Sequence, residues 1–183
     1  MQHLIDQLLD TAAIEAGRLE LHTERCDADQ ILRTVSELFS SQAREANVQL
    51  SVDVESGLVA MVDREKVIQV LSNLVGNALK FTGRGGMICL AASGLRNGVC
   101  FEVTDTGKGI AEQQVPHIFE RHWQGRMRSR GSLGLGLYIS RHIVEAHGGR
   151  IGVRTNIGRG TTFWFQLPVT ATASSVASSV ASP

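Results

Sequence analysis

Hydrophobic residues recur every 3.6 residues in some segments of this sequence and every two residues in others, and the two kinds of segment alternate irregularly. The first is the period of a helix with one buried face, and the second is that of a strand with one buried face. Two strand-like segments are joined by Arg96-Asn97-Gly98, and Asn-Gly favours a tight hairpin because both residues tolerate positive φ. Hairpins mixed with long helices indicate a sheet with helices layered on one face, not a parallel doubly wound sheet.

The periods and the capping residues between them predict the order of the elements. We predict helices over 1–17, from Asp27 or Asp29 to about 46, and over 63–81, 115–120 and 133–147. We predict strands over 18–24, 48–54, 58–62, 87–93, 99–105, 150–155 and 161–167. Residues 121–132 carry four arginines and no apolar period, which predicts a loop. From residue 169 the chain is almost entirely Ala, Ser, Thr and Val, which is typical of a disordered linker.

The composition excludes several classes of function. Among 183 residues, 18 Lys and Arg balance 18 Asp and Glu, so the overall charge lacks the basic bias of a nucleic-acid-binding protein. No apolar run is long enough to span a bilayer, and the N-terminus lacks the pattern of a signal peptide. The three cysteines form no paired motif, which is typical of reduced thiols in the cytosol. We therefore expect a cytoplasmic domain that contacts neither nucleic acid nor membrane directly.

The predicted helix over 63–81 has an unusual polar face. Opposite its apolar arc stand Asn73, Gly76, Asn77 and Lys80, where a solvated face normally carries charged residues. Asparagine and glycine inside a helix each cost about 0.5–1 kcal/mol relative to alanine, so this face is a candidate for function. A carboxamide oxygen suits a hard cation such as Mg²⁺, and a lysine one turn later suits a phosphate. An ordinary surface helix is the alternative.

Two glycine-rich segments follow this helix. Residues 105–110 (DTGKGI) end a predicted strand, where the carboxylate can accept a hydrogen bond from an exocyclic amine and the glycines permit the close approach of a flat ligand. A tight turn with a side chain-to-backbone bond is the alternative. Residues 131–137 (GSLGLGL) lead into a helix, whose free N–H groups and positive dipole end suit phosphates. A flexible loop is the alternative there, and no Gly-Lys-Ser/Thr follows to make a Walker loop.

In this order, the segments resemble the ATP-binding domain of histidine kinases. Its GHKL or Bergerat fold is shared with gyrase-type topoisomerases, MutL and Hsp90. The resemblance covers about residues 3–168 and implies an α+β fold, a two-layer α/β sandwich whose mixed, mostly antiparallel sheet carries helices on one face. The matching segments are 69–82 (QVLSNLVGNALKFT) for the N box, 105–110 for the first glycine box, 118–123 (IFERHW) for the F box, 134–137 (GLGL) for the second glycine box and 158–163 (GRGTTF) for the final glycine-threonine turn.

The resemblance implies that the cofactors are ATP and Mg²⁺ and gives each matched residue a role. Asn77 is expected to hold the metal, and Asp105 to take the adenine amino group. Asn73, Lys80 and Arg121 are the expected catalytic residues: the first two line the phosphate end, and Arg121 reaches the γ-phosphate. The other expected nucleotide-binding residues are Phe81, Gly107, Gly109, Ile110, Gly134, Leu135, Gly136, Leu137 and Thr161.

Asn73 distinguishes between the activities found on this fold. ATP-hydrolysing relatives carry a water-activating glutamate one helical turn before the metal-binding asparagine, and Asn73 stands in that place. A carboxamide cannot act as a general base. We therefore expect a protein-histidine kinase, in which ATP is positioned for phosphoryl transfer to a side chain. The alternatives are a GHKL-type ATPase, a degenerate, non-catalytic nucleotide-binding interaction domain and a serine kinase of the anti-sigma type.

The phosphoacceptor segment of the family is missing from this sequence. None of the six histidines precedes an acidic residue and an Arg-Thr-Pro run, whereas residues 9–21 resemble the exit of the second dimerisation helix. We therefore predict residues 1–18 as the end of that helix, 19–168 as the catalytic domain and 169–183 as the tail; a helix packed on its own domain is the alternative for 1–17. The implied partners are the dimerisation and phosphoacceptor domain of the same kinase and a response-regulator receiver domain.

Overall fold

The computed structural model describes residues 2–122 and 134–168, with the side chains of the first helix described from Leu8 onward. The elements are α1 (Gln2–Glu15), β1 (Glu24–Asp27), α2 (Ala28–Glu45), β2 (Gln49–Val54), β3 (Val59–Val62), α3 (Arg64–Phe81), β4 (Met87–Leu95), β5 (Gly98–Asp105), a 3-10 helix (Glu112–His117), α4 (Gly136–Ala146), β6 (Arg150–Asn156) and β7 (Gly160–Pro168).

Five of the strands form one mixed sheet in the order β2-β4-β5-β7-β6. Strand β2 runs parallel to β4, and the other neighbours are antiparallel. Strands β1 and β3 pair in a separate antiparallel ribbon. The predicted mixed, mostly antiparallel sheet is thereby confirmed.

The helices cover one face of the large sheet because its strands alternate. Phe101 and Val103 of β5 and Phe163 and Phe165 of β7 are buried on that face, whereas the intervening residues are half-buried on the other. The rings of Phe101 and Phe165 stack with their centroids 5.0 Å apart. The apolar arcs of α2, α3 and α4 complete the same core. The two-layer fold is therefore confirmed, and none of the described helices is long and apolar enough to cross a bilayer.

Two aspartates cap the long helices, as predicted from the sequence. Asp27 accepts a hydrogen bond from the backbone N–H of Asp29 at the start of α2. Asp63 accepts one from Lys66 N at 3.1 Å, and its second oxygen accepts from His22 N at 2.9 Å. The second bond joins the chain that leaves α1 to the start of α3.

Three predicted elements were misplaced. The strand predicted over 18–24 is wrong, because β3 offers only four residues and these pair with Glu24–Asp27. The helix predicted over 133–147 begins at Gly136, since Gly134 has a φ of +67°, which a right-handed helix cannot include. The helix predicted over 115–120 is a 3-10 helix over Glu112–His117, because in an α-helix the ring of Pro116 would clash with the carbonyl of Glu112.

Helix α1 packs against its own domain, which was the alternative interpretation of this segment. Thr11 is buried, and Asp10 accepts hydrogen bonds from Lys66 Nζ at 2.8 Å and from Gln69 Nε2. Leu8 and Leu9 on the same helix are nevertheless 55% and 64% exposed. The assignment of residues 1–18 to a dimerisation helix stays a prediction.

Candidate nucleotide site

Most of the residues singled out by the sequence meet at one end of the large sheet. The turn after β5 touches the end of α3, because a Cβ added to Gly107 would lie 2.6 Å from the carbonyl oxygen of Phe81. The same turn is joined to the β6–β7 turn by a 2.8 Å bond from Gly158 N to Lys108 O. The start of α4 closes the group through Asn73 of α3. Contacts between backbone atoms, and one from the Asn73 side chain, therefore hold four separate segments of the sequence together.

Asp105 is the buried carboxylate of this group. It ends β5 opposite Thr161 of β7 and is only 5% exposed. One of its oxygens accepts a hydrogen bond from Gly107 N at 2.7 Å. Burial raises the pKa of the Asp105 carboxyl above its usual value, and backbone hydrogen bonds from Gly107 and Thr161 partly oppose that shift. A carboxylate oxygen at this position can accept from an amine that enters the turn.

The two glycines in the turn after Asp105 lie where neighbouring atoms leave no room for a side chain. Gly109 has a φ of +74°, and a Cβ there would lie 2.3 Å from the carbonyl oxygen of Asn156. The turn ends at Ile110, whose N–H donates to Thr155 Oγ1 at 2.9 Å, and that hydroxyl lies 3.2 Å from the hydroxyl of Thr161. Thr155 is not predictable from the sequence, because a lone threonine within a strand gives no motif signal.

Asn73 connects α3 to the first turn of α4. Its side-chain nitrogen lies 3.3 Å from Gly136 O and 3.3 Å from Ser140 Oγ, and the Ser140 hydroxyl donates to Gly136 O at 2.8 Å. Asn73 is only 9% exposed, so an ordinary surface helix is wrong at this position. Ser140 was missed, although its place one turn after the glycine box is a signal that could have identified it. Asn77, one turn beyond Asn73, is half-buried.

The ammonium groups of two lysines lie near the ring of Phe81 at the end of α3. Lys80 Nζ and Lys108 Nζ each lie 5.1 Å from the ring centroid, which is within the range of a cation–π interaction. Both lysines are exposed, and Phe81 is 36% exposed. The sequence identified Lys80 and Phe81 as site residues but left Lys108 without a role.

The second glycine box forms the start of α4. Gly134 adopts a positive φ, Leu135 is buried, and the helix begins at Gly136 with the half-buried Leu137 in its first turn. The first N–H groups of an α-helix have no partner within the helix. They and the dipole of this eleven-residue helix make its start suitable for an anion.

Arg121 is placed away from this group. Its guanidinium forms an ion pair with Glu15 of α1 on the surface. Contacts at this end of the sheet therefore involve Asn73, Lys80, Phe81, Asp105, Gly107, Gly109, Ile110, Gly136 and Thr161, whereas Arg121 contacts α1. The remainder of the predicted loop, residues 123–132, lies outside the described residues.

Comparison with known proteins supports the same family. Residues 62–171 match the family described as histidine kinase-, DNA gyrase B-, and HSP90-like ATPase. Histidine protein kinase DivJ of Caulobacter vibrioides is 36% identical over 91% of this chain. Full-length ShkA, solved in complex with AMPPNP, superposes on 92% of the chain with a TM-score of 0.82 and 35% identity.

The extent of these matches identifies the part of a kinase that the chain represents. It spans 28% of DivJ and 36% of ShkA. By contrast, it covers 97% of the solved catalytic domain of histidine kinase ThkA, with 82% of its own length, a TM-score of 0.75 and 31% identity. The chain therefore belongs to the histidine kinase-, gyrase- and HSP90-like ATPase family, as the ATP-binding catalytic domain of a sensor histidine kinase.

Proposed function

We propose that this domain binds Mg-ATP and transfers the γ-phosphoryl group to a histidine on the dimerisation domain of its own kinase. The observation that carries the proposal is the buried Asp105 carboxylate at the foot of a turn lined by glycine backbone. Burying a carboxylate costs free energy that hydrogen bonds offset, and a bond from the adenine amino group would add to the one that Asp105 accepts from Gly107. The neighbouring residues Phe81, Ile110 and Thr161 frame the place of the base.

The phosphates are proposed to lie between the end of α3 and the start of α4. Lys80 supplies positive charge from α3, and the Gly134–Leu137 segment supplies backbone N–H groups and the helix dipole. The Asn73 side chain fixes the distance between the two helices through its contacts with Gly136 and Ser140. In this role Asn73 positions the phosphate-binding segment and leaves no carboxylate to activate water.

The ligands available at this site fit Mg²⁺ better than a metal ion that takes all its ligands from the protein. Within the described ranges, no group of three His, Cys, Asp or Glu residues could hold a metal. Mg²⁺ commonly takes few protein oxygens and completes its shell with phosphates and water. The half-buried Asn77 would supply such an oxygen, and the ion would neutralise charge on the phosphates.

Transfer to histidine is favoured over ATP hydrolysis by the same residues. Phosphoryl transfer depends mainly on positioning and on charge neutralisation, which Lys80, α4 and Asn77 can provide without a general base. Arg121 is proposed to leave Glu15 and reach the γ-phosphate. The alternative GHKL-type ATPase would lack its water-activating group here, because Asn73 stands in its place and a carboxamide cannot act as a general base.

The partners belong to the proposal as well. Histidine kinase ThkA has been solved in complex with the response regulator protein TrrA, and that kinase is 28% identical to this chain with a TM-score of 0.74. We infer a receiver domain as the downstream partner here, a dimerisation domain that continues from residues 1–18, and a cytoplasmic location, where ATP is available.

The proposal is tested by radiolabel transfer from ATP to the dimerisation domain of the parent kinase, supplied in trans. The chain alone is expected to remain unlabelled, and the dimerisation domain is expected to acquire an acid-labile phosphate. Transfer should be slow compared with the intact kinase, because proximity supplies much of the rate. Asn77→Ala should abolish transfer while the fold persists, and Asp53→Asn, at an exposed position on β2, is the matched control.

Three results would contradict the proposal. Acid-stable label on the acceptor would indicate a serine kinase, and strong labelling of the chain by itself would indicate a different acceptor. Rapid release of phosphate without any acceptor would indicate an ATPase.

A further inference from the structure

We infer that Lys108 is a second nucleotide-binding cation, which acts with Lys80 on the polyphosphate and sets a preference for triphosphates over nucleotides with fewer phosphates. This inference rests on the proposed function, because it concerns the same nucleotide. It assigns a residue in the middle of the first glycine-rich turn that neither the sequence motifs nor the comparisons give a role.

The first observation is the placement of lysine in this protein. The chain has only three lysines, Lys66, Lys80 and Lys108, against fifteen arginines. Lys66 is paired with Asp10 on the side of α1. The other two come from segments 28 residues apart and meet at one aromatic ring. The ammonium group of lysine is a compact charge on a flexible stem, which suits a phosphate, whereas the guanidinium group of arginine is planar and rigid.

The second observation is the distance between the two ammonium groups. Each lies 5.1 Å from the centroid of Phe81, so they are no more than about 10 Å apart. Two exposed like charges at that distance repel each other only weakly in water. A single polyphosphate is long enough to contact both ammonium groups.

The third observation is the charge of the surroundings. Residues 80–87, 105–110 and 155–161 contribute to this end of the sheet and contain Lys80, Arg84, Lys108 and Arg159. Their one acidic residue is Asp105, which is buried and accepts the hydrogen bond from Gly107. In a chain with zero net charge, this excess of cations beside the glycine turn favours a polyanionic ligand.

The test is a calorimetric titration of Lys108→Met with ATP, ADP, AMP and adenosine. The variant keeps the aliphatic stem of the side chain and removes its charge. We expect about a fivefold loss of affinity for ATP, the size of one solvent-exposed charge contact, a smaller loss for ADP, and none for adenosine. Arg96→Met is the matched control, because it removes one exposed charge at the opposite end of the β4–β5 hairpin. It should leave all four affinities unchanged.

Lysine methylation followed by mass spectrometry gives an independent measurement on the parent chain, which carries no substitution. ATP should slow the modification of Lys80 and Lys108 and leave that of Lys66 unaltered, and adenosine should protect neither. The inference is overturned if Lys108→Met binds ATP as the parent does, if it loses adenosine as strongly as ATP, or if ATP fails to protect Lys108. If the parent chain binds no ATP, the proposed function itself fails.

Discussion

Asp105 shows how one residue can serve binding at the expense of stability. Its side chain is 5% exposed, and burial raises its pKa above the usual carboxyl value. The folded state therefore holds the Asp105 proton more tightly than the unfolded chain does. Stability consequently falls as pH rises from the usual carboxyl pKa to the raised value, and the ionised side chain remains a cost at higher pH.

Asp105→Asn is therefore expected to change stability and affinity in opposite directions. The asparagine oxygen can still accept from Gly107 N, but it carries no charge to bury. We expect the variant to be more stable than the parent at pH 7, and this difference to disappear below the usual carboxyl pKa. Affinity for ATP should fall by about 1.5–3 kcal/mol, the range for a hydrogen bond to a charged group.

Urea denaturation between pH 3 and pH 8 measures the stability, and calorimetry measures the affinity. Asp53→Asn removes an exposed carboxylate on β2 and serves as the control. A variant that is less stable than the parent at pH 7, or that binds ATP equally well, would contradict this account of Asp105.

At the scale of elements, polar contacts join α1 to α3, in addition to the packing of Ile14 against the core. Asp10 and Lys66 are only 14% and 25% exposed, and Asp10 also accepts from Gln69. The Glu15–Arg121 pair at the end of α1 is about half exposed on both sides. Pairs exposed to that degree contribute little, so Asp10 is the main polar anchor of α1 on α3.

We expect Asp10→Ala to release α1 without unfolding the domain. The lost contacts are worth about 1–2 kcal/mol, between the values for surface and buried charged pairs. Amide hydrogen exchange of residues 2–15 should rise, while that of β4, β5 and β7 stays low. Arg33→Ala is the control, because it removes an exposed pair with Asp29 on α2 and should change exchange nowhere by a comparable amount. Unchanged exchange of α1 in Asp10→Ala would show that apolar contacts alone hold it.

At the scale of the whole molecule, His147 joins the end of α4 to the start of α3. Its Nε2 accepts from Asp63 N at 3.0 Å, so the proton is on Nδ1, which donates to Ile143 O at 2.8 Å. His147 is 5% exposed and lies 84 positions from Asp63. Through Asp63 the connection also reaches His22, in the segment that follows α1.

His147→Leu is expected to destabilise the fold by about 1–3 kcal/mol, because it leaves the buried Asp63 N–H without an acceptor. His147→Gln should lose less, since a carboxamide oxygen can accept the same bond. The midpoint of urea denaturation measures both, with the exposed His117→Leu as the control. Equal stability of the Leu and Gln variants would show that shape, not the hydrogen bond, matters at this site.

Local chemistry made much of this protein predictable from the sequence. The Asp27 and Asp63 caps, the hairpin at Asn97, and the glycines beside Asp105 depend on residues within a few positions of one another. Periodicity placed most of the helices and strands, and the motif segments identified the family. The strand predicted over 18–24 failed because a strand is defined by its partner, and no local period shows where β3 begins and ends.

Contacts between distant residues were decided by the tertiary structure alone. Helical spacing put Asn73 and Asn77 on one face, but only the packing of α4 buried Asn73 and left Asn77 half-buried. The same holds for the contact of Lys108 with the ring of Phe81 and for the hydrogen bond from Asp63 to His147. Each joins two segments that are far apart in the sequence, and the hydrophobic period of one segment gives no information about the other. A period specifies which face of an element is apolar, whereas the packing of the elements determines which polar side chains meet.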